Sequence, residues 1–244
     1  MSRMKQFLTA SLLFSLMSPA ISQTTSPADP GKRDWKKADL SNRSSDHLMF
    51  QFGYTGWTGA PDSIQTGGFS RSFNTYFLFD FPFKSDPRLS VGVGVGVGAD
   101  NVFFEQTSID LKNSQQIKFR RDSVTQYKRY KLGSAYFEAP LELRWAKDPE
   151  HMNKSLKFAV GLKLGIPIDL HTKAKVTRDA AGNLAYVLKE KDRKYANNFR
   201  AVATARVGFG NFSLFGTYAL TGMFREGQGP TVRPYTVGLC LSGL

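Results

Sequence analysis

Glu138 and Glu142 come first, because two neighbouring carboxylates can divide acid and base work between them. They lie in the stretch Ser134-Ala-Tyr-Phe-Glu-Ala-Pro-Leu-Glu-Leu-Arg-Trp145, where apolar and polar residues alternate. Alternation marks a strand, and strand rise then sets the two carboxylates about 13 Å apart on one face, too far for a dyad or a glycosidase pair. Hydrolysis through a nucleophile needs a Ser or Cys within reach of a base. The histidines are His47, His151 and His171, of which only His171, beside Thr172, falls near the expected outer rim. No second histidine or acid around it has metal-ligand spacing. The single cysteine, Cys240, cannot form a disulfide within the chain, and nothing in the sequence sets a base beside it. The run Val91-Gly-Val-Gly-Val-Gly-Val-Gly98 suggests a phosphate loop, but its glycine spacing is strictly two and no helical pattern follows. The sequence predicts no enzyme, no metal site and no cofactor.

The same residues make more sense as parts of a wall. In the opening stretch Ala135, Phe137, Ala139, Leu141, Leu143 and Trp145 share one face, and Tyr136, Glu138, Pro140, Glu142 and Arg144 the other. Seven more stretches alternate in this way: 47–54, 69–83, the Val-Gly run, 156–168, 198–209, 212–220 and 234–242. Each has one apolar face opposite a face of Gly, Ser, Thr and charge. A soluble ligand-binding barrel would put the apolar set inside and charge outside, whereas here the charges share their face with glycines. The fold class expected is all-β, an eight-stranded antiparallel up-and-down transmembrane β-barrel with its apolar face toward lipid and its polar face inward. Connections alternate between short and long, as between periplasmic turns and external loops. Aromatic residues mark two rims. Phe81, Phe83, Trp145, Phe209 and Phe212 form the inner one, and Tyr54, Phe69, Phe103, Phe137, Phe199, Tyr218 and Tyr235 the outer one. The Val-Gly strand directs glycines inward, leaving room for bulky Arg or Tyr neighbours.

The chain begins with Arg3 and Lys5, a short apolar run from Phe7 to Met17, and the small residues Pro19-Ala-Ile-Ser22. This predicts a signal peptide over 1–22, a flexible periplasmic lead-in over 23–46 and the barrel over 47–244. The expected location is the outer membrane of a Gram-negative bacterium, after removal of the signal peptide. No later apolar run reaches the roughly 18 residues of a membrane helix. The formal charge of +13 becomes +11 without the leader, and it is spread over loops with no nucleic-acid-binding motif, so nucleic acid is not an expected partner.

Two groups of charged residues are candidates for function. Asp80, Glu138, Glu142, Arg144, Lys157, Lys163, Arg200 and Arg206 point into the predicted lumen, where they form either a salt-bridged plug or an ion path. The long connections 105–132 and 169–197 carry Lys118, Arg120, Arg121, Lys128 and Arg129, and Lys173, Lys175, Arg178, Lys191 and Arg193. These are candidate sites for an anionic ligand, lipopolysaccharide phosphate or an acidic glycan. A hairpin is predicted inside the second loop, around Ala181-Gly-Asn183.

The block Tyr136-Phe-Glu-Ala-Pro-Leu-Glu-Leu143, the leader ending in Ala20-Ile-Ser-Gln23 and the strand rhythm from 47 to 244 resemble the small outer-membrane β-barrels of Bacteroidota, PorT-like or OmpA- and OmpX-like. The resemblance implies a barrel seated in outer-membrane lipid and, from some members, a role alongside secretion-machine proteins. The expected role is envelope-structural or surface-interacting. Alternatives are an accessory of a secretion or assembly machine, or a narrow pore.

Overall fold

Residues that alternate give each strand one apolar edge, and closure of the sheet decides which way that edge points. A computed structural model of the chain describes residues 40, 43, 47–62, 64–111, 116–123, 125–178, 181–182 and 184–243. All of them fall in the unit Asp34–Leu244. The expected signal peptide, and the lead-in apart from residues 40 and 43, lie outside the described residues.

The strands are β1 (Leu48–Thr58), β2 (Arg71–Pro82), β3 (Leu89–Phe104), β4 (Thr107–Asp110), β5 (Lys118–Arg121), β6 (Gln126–Ala146), β7 (Leu156–Arg178), β8 (Leu184–Lys191), β9 (Arg200–Phe209), β10 (Phe212–Ala219) and β11 (Arg233–Ser242). Eight of them pair antiparallel in the order β6-β3-β2-β1-β11-β10-β9-β7, and β6 pairs with β7 to close the ring. This is the expected barrel, every strand lying beside its sequence neighbours.

Its polarity is inverted as expected. Leu141 is 51% exposed, while Glu142, the next residue, is 1% exposed. The same contrast runs round the wall, with Phe73, Val95, Val160, Leu214 and Leu239 exposed and Gln51, Asn74, Thr204, Ser213 and Thr236 buried. A charge placed on the apolar surface near the bilayer midplane should therefore be costly. Leu141→Arg is expected to destabilise the barrel by about 2–4 kcal/mol. Equilibrium unfolding in lipid would read this, and a loss below about 1 kcal/mol would contradict the outward facing.

The short turns gather at one end. Gly210-Asn211 joins β9 to β10, with Gly210 at φ 59°, where a Cβ would stand 2.6 Å from the Asn153 carbonyl oxygen. The long connections gather at the other end and are more ordered than their polarity suggested. β6 has 21 residues and β7 has 23, about twice what a bilayer needs, so both continue well past the lipid-facing rows. The predicted hairpin exists as the β7–β8 pair, and it begins inside the strand rather than in a loop. Above Gly165↔Arg200, where β9 stops, β8 takes over as the second neighbour of β7 from His171↔Lys191 upward. A second hairpin, β4–β5, rises from the β3–β6 connection.

These segments are tied together by an apolar cluster absent from the sequence reading. Ile64, Ile109, Leu111, Ile117, Tyr195 and Phe224 are buried in it, and all four long connections contribute. Trp57 stacks edge-on against Phe104 at 5.3 Å, Phe119 at 6.1 Å and Phe224 at 6.2 Å. Tyr130 donates its hydroxyl to the Ile109 carbonyl at 3.0 Å and accepts from the Ile109 amide at 2.8 Å; burial pushes its phenol up to about 12. The barrel is thus roofed at its long-loop end by a packed cap.

Candidate functional site: a charged lumen and a cationic outer wall

The lumen charges form two clusters. In the inner one, Glu142 Oε2 accepts from Arg144 Nε at 2.9 Å and from Arg206 Nη2 at 2.8 Å. Arg144 also approaches Asp80 at 3.4 Å, and Asp80 is held at 2.6 Å by Arg43. Arg43, from the segment read as a flexible lead-in, is buried here and also donates to the Pro87 carbonyl at 2.8 Å. Lys157 faces the same inner end, buried beside Arg144 and Arg206.

In the outer cluster, Tyr76 donates to Glu138 at 2.5 Å and accepts from Lys163 at 3.0 Å. Lys163 lies 3.7 Å from Glu138. Arg200 lies 3.5 Å from Glu138 and 3.0 Å from Asp100, with its guanidinium 4.2 Å from the centre of the Tyr136 ring. All eight predicted lumen residues therefore face the interior. Arg43, Asp100 and Tyr76 join them, and sequence reasoning had not included these three. The glycine row of β3 makes the space: a Cβ on Gly92 would meet the Arg144 guanidinium at 2.5 Å, and one on Gly98 would meet Glu138 at 3.1 Å. On the β1, β2, β10 and β11 side the lumen is filled by Met49, Leu78, Phe215 and Cys240.

None of this assembles a nucleophile. His47 pairs with the Leu78 carbonyl, His171 with Asp169 at 2.6 Å and exposed His151 with Asp148 at 3.2 Å. Among the described residues no hydroxyl or thiol hydrogen-bonds to a histidine ring.

The predicted loop cations divide. Lys118, Arg120 and Arg121 sit on the exposed β5 hairpin, and Arg178 ends β7. Lys191 pairs with Asp169 at 2.7 Å, and Arg193 donates to the Pro167 carbonyl at 3.4 Å. Lys128, Arg129, Lys173 and Lys175 come together, joined by Arg71 and Lys131, around a cavity of about 320 Å³. Lys189 stands opposite Lys173 on β8. Phe103, expected as an exposed rim aromatic, is instead buried, with Arg71 and Arg129 guanidiniums 5.5 Å and 5.6 Å from its ring centre. Partial burial, together with the charges of Lys173, Arg71, Arg129 and Lys189, holds the Lys131 ammonium below its ordinary range.

A closed eight-stranded wall with exposed apolar rows and a charged interior has few homes other than a membrane. The family model described as outer membrane protein beta-barrel domain matches residues 36–225. The chain belongs to the outer-membrane β-barrel family. Its location follows from that membership: an outer membrane. No curated protein matches the chain. The matched span takes in all of β1 through β10, so family membership covers both charge clusters and the outer wall.

Proposed function

We propose that this outer-membrane barrel is a closed, non-enzymatic envelope protein that works at its external surface, where its cations hold the anionic groups of lipopolysaccharide or of an acidic glycan. One contrast carries the reading. Within the lumen every acid holds one or two cations, while among the described residues the cations gathered on the outside around Lys131 have no acid within ion-pair distance. A path for ions would need mobile water along the axis. The inner end is instead occupied by Arg43, Asp80 and Arg144, and the outer end by the aromatic cap. The proposal includes an N-terminal signal peptide and kinship with the PorT-like barrels of Bacteroidota, for which the Tyr136–Leu143 block is the support. Planar-bilayer recording of the purified barrel tests closure. We expect no resolved conductance, and steady single-channel steps would replace this reading with that of a narrow pore.

A second reading has its own observation. Arg43 is fastened at the inner mouth by Asp80 and the Pro87 carbonyl, which favours an accessory role in secretion or assembly exercised from the periplasmic end. Co-purification from detergent extracts in fixed stoichiometry with a secretion complex would favour it over the first.

A further inference from the structure

We propose that the outer wall of the barrel carries a binding site for a phosphorylated glycolipid of the external leaflet, with the phosphate held by Arg71, Arg129, Lys131 and Lys173 and the sugar lying in the adjoining cavity. This rests on the reading that the external end binds anions, and it names the site and the ligand class.

Register places the cations. Arg71 precedes the lipid-facing Phe73 on β2, and Lys131 lies six residues above the lipid-facing Phe137 on β6. Side chains two or six residues apart on a strand share a face, so these cations stand on the exterior of the wall, the face that meets lipid lower down. The band begins within about 7–20 Å of the last apolar row by strand rise, which is headgroup depth rather than loop-tip height. A polymer arriving from solution would meet the tips first, whereas a lipid already in the leaflet reaches the wall directly.

Charge selects the anion. Lys131 donates to Asn101 at 2.5 Å, and among the described residues none of Arg71, Arg129, Lys131, Lys173, Lys175 and Lys189 has an acid within ion-pair distance. Six unneutralised cations in one patch repel one another, and a multiply charged phosphate relieves that strain better than a single carboxylate. The Arg71 and Arg129 guanidiniums both lie near the Phe103 ring, at 5.5 Å and 5.6 Å from its centre, and a planar guanidinium pairs its N–H groups with phosphate oxygens.

Shape supplies the rest of the ligand. A cavity of about 710 Å³ shares Arg71, Phe103 and Arg129 with the cationic one and adds Glu105, Gln106, Asp122 and Tyr127. Carboxylates, an amide and an aromatic face are what sugar hydroxyls and ring C–H edges use. Gln106 takes φ 47°, an uncommon backbone for a residue with a Cβ, and it does so in the lining of this cavity.

The test uses the full barrel in detergent and three probes: diphosphorylated lipid A, the same lipid dephosphorylated, and a soluble phosphorylated core oligosaccharide. The wall variant carries Arg71→Gln, Lys131→Gln and Lys173→Gln; the tip control carries Lys118→Gln, Arg120→Gln and Arg121→Gln. Heat-modifiable mobility checks that each variant has closed, and the single Lys131→Gln variant serves if the triple does not. Each lost charge-assisted contact should weaken binding about tenfold. The wall variant should therefore bind diphosphorylated lipid A at least about 10²-fold more weakly. The tip control should bind it as the unmodified protein does, and the dephosphorylated lipid should bind weakly to all. Unchanged binding by the wall variant would overturn the site, and loss by the tip control alone would move anion binding to the loops and leave the broader reading standing. Equal affinity for the soluble oligosaccharide would overturn the lipid-borne source. Failure of the unmodified barrel to bind any of these anions or an acidic glycan would remove the broader reading itself.

Discussion

Replacing Glu142 by Gln is expected to destabilise the folded barrel by about 3–5 kcal/mol, the largest effect of any single polar substitution proposed for this chain. The carboxylate serves two guanidiniums through one oxygen, at 2.9 Å and 2.8 Å, and the side chains of all three residues are at most 6% exposed. An amide keeps the shape and one acceptor but removes the charge. Arg144 would then rely on Asp80 at 3.4 Å, which already serves Arg43 at 2.6 Å. Arg43, Arg144 and Arg206, three buried cations that share Asp80 and Glu142, would keep only one of those two acids, and an uncompensated charge costs several kcal/mol when it cannot reach water. The check is urea unfolding in lipid or detergent, followed through loss of heat-modifiable mobility. A double variant with Arg206→Gln should lose less than the sum of the singles, by about 0.5–3 kcal/mol, because the pair acts as one unit. A loss below about 1 kcal/mol for Glu142→Gln would mean that water reaches the lumen and solvates the arginines, which would also reopen the question of conduction.

That prediction rests on the part of the molecule the sequence displays best. The period of two is a local property, so Val91 to Gly98 and Ser134 to Trp145 declare their two faces without any knowledge of their neighbours. Closure follows because eight such strands with alternating short and long connections leave no unpaired edge. Membership of the lumen was legible for the same reason, but pairing within it was not. Which arginine meets Glu142 depends on cross-strand register, and Arg43 reaches Asp80 across 37 positions of chain. The external end was harder still. Lys and Arg in 105–132 and 169–197 lowered the apparent hydropathy enough to read as solvated loop, although Ile109, Leu111, Ile117 and Phe119 stood among them at strand spacing. The wall cations were in view as well. Arg129 and Lys131, then Lys173 and Lys175, are pairs two apart, and such spacing places both members on one face once the strand is allowed to run past the membrane. Arg71 could not be assigned to them from sequence, since it joins through β3 and the Arg71↔Asn101 register.

Truncation of Phe224 to Ala should open the cap while leaving the membrane wall closed. Phe224 is 5% exposed, packs against Trp57 and Phe119, and bridges to Ala196, so it ties the last long connection to the other three. Removing a buried aromatic ring costs about 3–5 kcal/mol, but here the cost falls on segments outside the bilayer. The β1–β11 and β10–β11 ladders below do not depend on it. Heat-modifiable mobility should therefore be unchanged. The sensitive readout is trypsin, because β5 carries Lys118, Arg120 and Arg121 within four residues and is kept in place by Phe119 in the cap. When reclosing is faster than cleavage, the cutting rate follows the open population, so a loss of about 3–5 kcal/mol raises it by roughly two to four decades, until the hairpin is open most of the time. Cleavage at the unmodified rate would mean that the aromatic cluster does not hold the hairpin. Conductance separates the two closures: with the cap loosened, the ion pairs around Glu142 and Glu138 still fill the lumen, so the Phe224→Ala barrel should remain silent in a planar bilayer. Channel steps from that variant would assign the barrier to the cap and leave the lumen charges as lining.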